Sequence, residues 1–236
     1  MDKISIVIPI YNEEKILLKQ INKLIKNLKR IHLRNYEIIL VNNGSTDRTL
    51  FKAKRLAKKI KNLKVLEIKK PLYGEAIRLG FLKAKYNTVV QFDIDFFDFS
   101  FLKKGVQMKN KYPIIIGSKL HSQSKDKRPI FRILLSRLFS FFIKLILGYH
   151  GTDTHGIKIF NKKKTIFFIK RAVCDNHLFD TEVLLRAEKA GVPIKELPVS
   201  LKELRPSRFS HKLRIISLIK EMFILMNFFS IKKRTL

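Results

Sequence analysis

The sequence predicts an α/β fold, a doubly wound and mostly parallel sheet followed by an amphipathic C-terminal helix. Three observations carry this. Short β-branched runs and longer stretches with helical apolar spacing alternate four times between Ile4 and Phe92, which argues for consecutive strand–helix–strand units with right-handed crossovers. Four strand ends lead into polar turns, where open α/β sheets place ligands. The stretch Leu213–Phe229 is apolar but interrupted by Arg214, Lys220, Glu221 and Asn227, as in a helix with one wet face.

The elements follow in order. Ile4–Ile10 is a buried strand, and Tyr11-Asn12-Glu13-Glu14 opens a helix to about Arg30 with acids in its first turn. Ile16, Leu17, Ile21, Leu24, Ile25 and Leu28 form that helix's apolar face. Tyr36–Val41 is the second strand, ending in the turn Asn42-Asn43-Gly44-Ser45, and a basic helix covers about Asp47–Lys61. Val65–Ile68 is the third strand, and a helix runs from Tyr73-Gly74 through Lys85. Thr88–Phe92 is the fourth strand, running into Asp93-Ile94-Asp95. Further on, Pro113–Gly117 reads as a strand, Ser122–Arg128 as a basic loop and Arg132–Leu147 as a strongly apolar helix. Gly156–Phe160 and Val192–Val199 read as strands, and Asp180–Ala190 and His211–Phe229 as helices.

With 236 residues, 46% of them hydrophobic, the chain can bury a large core. We expect one catalytic domain over 1–210 and a membrane-associating tail over 211–236. The lone Cys174 excludes an internal disulfide and points to a reducing compartment. Met1-Asp2-Lys3 leads straight into a strand, so no signal peptide is expected. The formal charge of +31 implies anionic partners. Lysines are spread along the chain, and no zinc-finger or RNA-recognition spacing is present, which argues against a dedicated nucleic-acid module.

Asp93 and Asp95 are the focal pair. Two carboxylates one residue apart at a strand end suit a hard cation, Mg²⁺ or Mn²⁺, able to hold a diphosphate. The alternative is that Asp95 or Asp98 caps the next helix.

The polar strand ends, taken in order and spacing, resemble the inverting nucleotide-sugar glycosyltransferases of the GT-A fold, glycosyltransferase family 2. Within that family the sequence looks most like dolichyl- or polyprenyl-phosphate sugar synthases. The resemblance covers roughly the first 210 residues and implies the following roles. Pro9, Tyr11 and Glu13 would line the base and ribose pocket. Asn42 and Asn43 stand where the family carries carboxylates, and an amide can both accept from and donate to a base. Gly74, in Tyr73-Gly74-Glu75-Ala76-Ile77-Arg78-Leu79-Gly80, would let the backbone approach donor phosphates at a helix N-terminus. Asp93 and Asp95 would bind metal, Asp93 also reaching the ribose. Phe97 replaces a family polar ligand, and Asp98 is close enough to substitute. Lys119, in Gly117-Ser118-Lys119, would bring charge to phosphate, and Arg132 would meet the acceptor phosphate. In Thr152-Asp153-Thr154-His155-Gly156 the family Asp is displaced by one position, and His155 reads as structural. Asp180 and Glu182 would form the acidic pair beneath the acceptor. Arg205 and Arg208 would hold the diphosphate, with His211 or Lys212 in place of a later family Lys.

On a helical wheel, Arg132, Ser136, Arg137, Ser140 and Lys144 share an arc of about 140°, with Ile, Leu and Phe filling the rest. That pattern fits a helix lying in a membrane interface, and neither it nor the tail is long and apolar enough to span. The expectation is therefore a peripheral enzyme on the cytoplasmic face of a membrane. It would transfer a hexose from a UDP- or GDP-sugar to a polyprenyl phosphate with inversion, drawn also to anionic lipid. Two rivals stay open: transfer to a glycan or glycolipid hydroxyl, with Asp180 or Glu182 as base, and a non-catalytic basic binder on a decayed scaffold.

Overall fold

A computed structural model of the chain describes residues 3–201 and 218–227. The strands are β1 (Lys3–Ile10), β2 (Asn35–Asn43), β3 (Leu63–Ile68), β4 (Thr88–Gln91), β5 (Ile114–Ser118), β6 (Lys125–Asp126), β7 (Lys158–Asn161), β8 (Ile194–Pro198) and β9 (Ser200–Leu201). The helices are α1 (Leu17–Arg30), α2 (Thr49–Lys59), α3 (Tyr73–Lys83), α4 (Phe99–Met108), α5 (Ile130–Leu147), α6 (Lys162–Arg171) and α7 (Phe179–Lys189), with α8 over 218–227.

Seven strands form one sheet in the order β3-β2-β1-β4-β7-β5-β8, and β6 pairs with β9 separately. Only β7 runs against its neighbours β4 and β5; the remaining pairs of the large sheet are parallel. The fold is thus the mostly parallel α/β arrangement read from the sequence. Both faces are covered, so the central strands are near-continuous apolar runs. Leu17, Ile21, Ala53, Leu56, Phe101 and Leu102 from α1, α2 and α4 bury one face. Ala76, Phe81, Ile169, Leu184 and Leu225 from α3, α6, α7 and α8 bury the other.

Element edges shift for local reasons. α1 begins at Leu17, not at Tyr11, because Asn12 sits at φ 53 and the Glu13 carbonyl accepts the N–H groups of Ile16 and Leu17. β2 runs on through Asn43, so the two asparagines end a strand and the turn starts at Gly44, at φ 66. Asp98 does cap α4: its side chain accepts from the Phe101 N–H at 2.9 Å, and its other oxygen from the Ser200 N–H at 3.0 Å. With both oxygens engaged, it is not placed to stand in for the ligand missing at Phe97. The helix α6 lies between β7 and α7, where the sequence predicts no helix.

Gly80 lets α3 lie close on the sheet, since a Cβ there would meet Val7 Cγ1 at 2.4 Å and Val41 Cγ2 at 3.0 Å. Neither valine, in mid-sheet, has free space to turn into. Gly80→Ala should therefore cost about 1–3 kcal/mol, seen as a lowered urea midpoint with an unchanged slope; an unchanged midpoint would show that α3 shifts freely.

Candidate active site

Register creates the crevice. β1 pairs with β2 as far as Ile10 and Asn42, but with β4 only as far as Val7 and Gln91. Past that point β1 and β4 part, and this is also where strand order reverses, with β2 and β3 on one side of β1 and β4 on the other. Doubly wound sheets bind ligands at such switch points. Pro9 fits here because β4 has already left that side of β1, so a missing N–H costs no ladder bond there.

One wall is built from β1 and β2. Asn12 accepts from the Thr46 N–H at 2.8 Å, the Asn12 N–H donates to Ser45 Oγ at 3.1 Å, and the Glu13 N–H donates to Thr49 Oγ1 at 2.6 Å. These bonds lock the Tyr11–Glu13 loop to the β2 turn. Asn42 and Asn43 are buried, and neither side-chain oxygen meets a donor among the described residues. A buried acceptor left without a donor costs about 1–3 kcal/mol, so two together mark a place suited to a ligand's N–H groups.

The other wall carries the aspartates. The Phe96 N–H donates to the Asp93 carbonyl at 3.0 Å, closing a tight turn that presents Asp93 and Asp95 at the end of β4. Asp93 is pushed up to about 6, first by burial and then by the charge of Asp95, while Lys158 and Lys119 pull it down. Two mutually repelling carboxylates with hard oxygen donors fit a divalent cation.

Beneath them lies a buried polar floor. Lys158 is fully buried and donates to Asp180 Oδ2 at 2.8 Å and to the Gly156 carbonyl at 2.7 Å. Gln91, opposite Lys158 in the β4–β7 register, donates to both Asp180 oxygens at 3.2 and 3.0 Å and to Tyr73 Oη at 3.0 Å. Burial, followed by the charges of Asp180 and Asp93, pushes the Tyr73 hydroxyl well up. Beside this floor, Asp153 binds Lys119 twice, through Nζ at 3.2 Å and the backbone N–H at 3.0 Å. Despite its burial Asp153 is held down to about 2, by Lys119 and by N–H bonds from His155 and Lys119. His155 is brought down to about 4, chiefly by burial and then by Lys119, so it is neutral at pH 7. Its Nε2 faces the His177 carbonyl at 2.9 Å and therefore carries the proton, leaving Nδ1 to accept from Thr154 at 3.0 Å. That is a bracing role, in keeping with the structural reading of His155.

The apolar helix is bolted to this cluster. Ser140 of α5 donates to the Thr152 carbonyl at 2.7 Å, and the Phe139 ring packs edge-on against His155 at 5.1 Å.

Comparison with known proteins gives the family. The profile described as glycosyl transferase family 2 matches residues 5–175. The chain belongs to that family. A dolichyl-phosphate beta-glucosyltransferase of Trichomonas vaginalis is 31% identical over 92% of this chain and 70% of its own length. Glucosyl-3-phosphoglycerate synthase of Mycobacterium tuberculosis, solved with Mn²⁺, UDP-glucose and phosphoglyceric acid, aligns with TM-score 0.63 at 16% identity, over 95% of this chain and 78% of that one. The S. aureus protein TarS aligns with TM-score 0.54 at 18% identity, over 83% of this chain and 58% of that one. The two solved structures show a shared fold. The chain is accordingly an enzyme, a glycosyltransferase.

Within this glycosyltransferase the expected residues fall into groups. Asp95, Lys119 and Asp180 lie close enough to Asp93 to act on its charge, while Pro9, Asn42 and Asn43 stand at the ends of β1 and β2, and Tyr11 and Glu13 follow β1. Arg132 lies in the first turn of α5, two turns before the Ser140 bolt. Gly74 departs from expectation. A Cβ there would meet Phe179 Cβ at 2.4 Å and the Asp175 backbone at 2.8 Å, so it is a packing glycine against α7. The Glu75 N–H is taken by the Asp175 carbonyl at 3.0 Å, which leaves that end of α3 turned toward protein instead of phosphate. Glu182 is fully buried, accepts from the Val173 and Cys174 N–H groups and pairs with Arg186 at 2.6 Å, which fixes it as a brace and removes it as a base. Arg205, Arg208, His211 and Lys212 lie outside the described residues.

Lys158 and Gln91 have no role in the sequence reading, and Tyr73 enters it only as the residue before Gly74. Their signal was a Lys between Ile157 and Ile159 and a Gln between Val90 and Phe92, polar residues inside runs that otherwise read as buried strand.

Asp93 titrates near 6 in the folded chain against about 3.9 when unfolded. The folded state therefore holds this proton more tightly, and stability falls as pH rises from about 4 to about 6. Asp93→Asn should be more stable than the parent at pH 7.5 by about 1–2 kcal/mol after solvent screening, with no gain near pH 4. Urea unfolding at the two pH values tests this; equal stability at pH 7.5 would contradict it.

Proposed function

We propose that this enzyme transfers a hexose from a nucleotide sugar to a polyprenyl, dolichyl-type phosphate at a membrane surface, with inversion at the anomeric carbon. The observation that carries the reading is the position of α5. Ile130, Phe131, Leu134, Leu138, Phe141 and Leu145 on it are all exposed, while Ser140 and Phe139 fasten it to the carboxylate site. This arrangement would suit an acceptor with an apolar tail and a charged reacting phosphate. None of the helices among the described residues is long and apolar enough to cross a membrane, and the net charge of +31 favours anionic lipid. The cytoplasmic face remains part of this proposal. Glucose is the first sugar to try, from the name of the Trichomonas relative.

In this reading Asn42 and Asn43 take the base, with Tyr11 and Glu13 beside it. Asp93 and Asp95 would hold Mg²⁺ or Mn²⁺, which when bound supplies positive charge to the leaving diphosphate. Among the described residues no three His, Cys, Asp or Glu side chains gather into one metal-binding group, so diphosphate oxygens and water would complete its shell. Arg205 and Arg208 would add charge to the same diphosphate. The acceptor phosphate is largely dianionic near neutral pH, its second pKa being about 6, and attacks without a general base. Lys119 and Arg132 would orient it. Asp180, paired to Lys158 under the floor, keeps Gln91 and Lys158 in place and has no proton to take.

The test is a donor panel. Protein, Mn²⁺ or Mg²⁺ and polyprenyl phosphate are incubated with UDP- and GDP-sugars, and the lipid extract is weighed for an added hexose. One donor should give product, and Asp95→Ala should lower turnover about 10²- to 10³-fold, the order seen when a key electrostatic group is removed. A fully active Asp95→Ala enzyme would sink the mechanism. Product only on a glycan hydroxyl, with a carboxylate-controlled pH profile lost in Asp180→Asn, would move the acceptor to the glycan class.

A further inference from the structure

The α8 helix reaches the site through one carboxylate. Glu221 is only 7% exposed. It accepts from the Asn176 N–H at 2.9 Å through one oxygen and from the Leu178 N–H at 3.0 Å through the other. Burial raises its pKa, and the N–H bonds from Leu178, Asn176 and His177 oppose that rise. These donors belong to the turn just before α7, where helix N–H groups have no partner within their own helix. A second buried carboxylate, Glu182, takes the N–H groups of Val173 and Cys174 a few residues earlier. The segment Val173–Leu178 is thus suspended between two acids, one on α7 and one on α8.

That segment contacts the residues that surround the floor, Asn176 Oδ1 accepting from the Tyr73 N–H at 3.4 Å. The His177 carbonyl sets the His155 tautomer, and the Asp175 carbonyl accepts from the Glu75 N–H at the start of α3. The Asp175 carboxylate pairs with Arg78 at 2.7 Å, and the segment leads directly into Phe179 and Asp180. Leu225, fully buried, anchors α8 in the same core that holds Phe179 and Leu184.

We propose that Glu221 is a positioning residue of the transferase and that α8, through it, is an integral part of the active site. It sets the start of α7, and with it the Asp180–Lys158–Gln91 floor under Asp93, without touching substrate. The base pocket at Asn42 and Asn43 lies on the β2 side and draws nothing from this segment. Loss of Glu221 should therefore damage turnover and spare nucleotide binding. The kinetic part of this inference rests on the proposed transfer reaction; the structural part does not.

The experiment uses the full chain with Glu221→Gln and Glu221→Ala. Glu221→Gln keeps one acceptor oxygen and the side-chain volume, so it should fold. Expected is a kcat about 3- to 10-fold lower for the Gln variant and lower still for Ala, with donor KM within twofold of the parent. Glu221→Asp should recover less than half of the loss, its carboxylate being one methylene short. In parallel, hydrogen exchange of the 173–178 backbone should speed up at least tenfold in Glu221→Gln, while exchange at residues 38–43 stays unchanged. Exchange is read whether or not a donor has been found, so a failed donor panel and a failed coupling are told apart. Unchanged exchange at 173–178, or an unchanged kcat with only a lower melting temperature, would overturn the proposal and leave α8 a stabilising appendage.

Discussion

The buried pair of Lys158 and Asp180 is the constraint on which the site depends. A lysine at 0% exposure and a carboxylate at 2% survive in a core only when each neutralises the other and their remaining valences are met. Here β4, α3 and the stretch leading into β7 supply those partners. Gly156 takes a second Lys158 proton, and Gln91 and Tyr73 donate to Asp180. The pair joins β7 to α7 and, through Gln91, both to β4. It places a positive charge under Asp93, which keeps a crowded carboxylate from being more protonated than it is. Removing either partner would strand the other, at a cost of about 3–5 kcal/mol, so the floor acts as a unit.

Above that floor the molecule offers two environments side by side. Toward β1 and β2 the crevice is polar, with amide oxygens that no donor among the described residues meets. Toward α5 it gives way to an apolar helix, most of whose large side chains face outward. Ser118, Thr152, Asp153 and Glu196 stitch the boundary, Thr152 bonding to Ser118 at 2.7 Å and its N–H to Glu196 at 2.6 Å. A substrate with a charged head and a long apolar tail matches that division better than a wholly polar glycan does.

Much of this was legible in the chain. The strand end at Ile10, the end of β4 to within one residue, the carboxylates that follow it and the apolar α5 are local patterns, readable from period and composition, whereas β2 runs two residues past the expected Val41. Asp98 as a cap was also readable, as the alternative to a metal role for this cluster. What was not legible depends on distant pairing. Gly74 was read as a phosphate cradle because nothing nearby says that Asp175 and Phe179, some hundred residues on, fill that space. Glu182 gave the same difficulty, since an acid in a helix's first turn reads alike whether it faces substrate or braces a loop. α6 was missed because its apolar residues Ile166 to Ile169 are contiguous and show no helical period, while its cap, Asn161, closes a strand. Lys158 hides in a strand-like run, and its meaning appears only once β4 and β7 are registered.

In the proposed reaction the acceptor's tail lies on α5 while its phosphate reacts at the crevice. Kinetics on two acceptor phosphates, one with a single isoprene unit and one with about eleven, would test this most directly. The comparison is between the parent and a Leu138→Glu, Phe141→Glu variant. The account predicts that the long tail raises kcat/KM at least tenfold in the parent, that the variant loses this gain, and that both enzymes treat the short acceptor alike. An equal preference for long acceptors in the variant, or none in the parent, would contradict it.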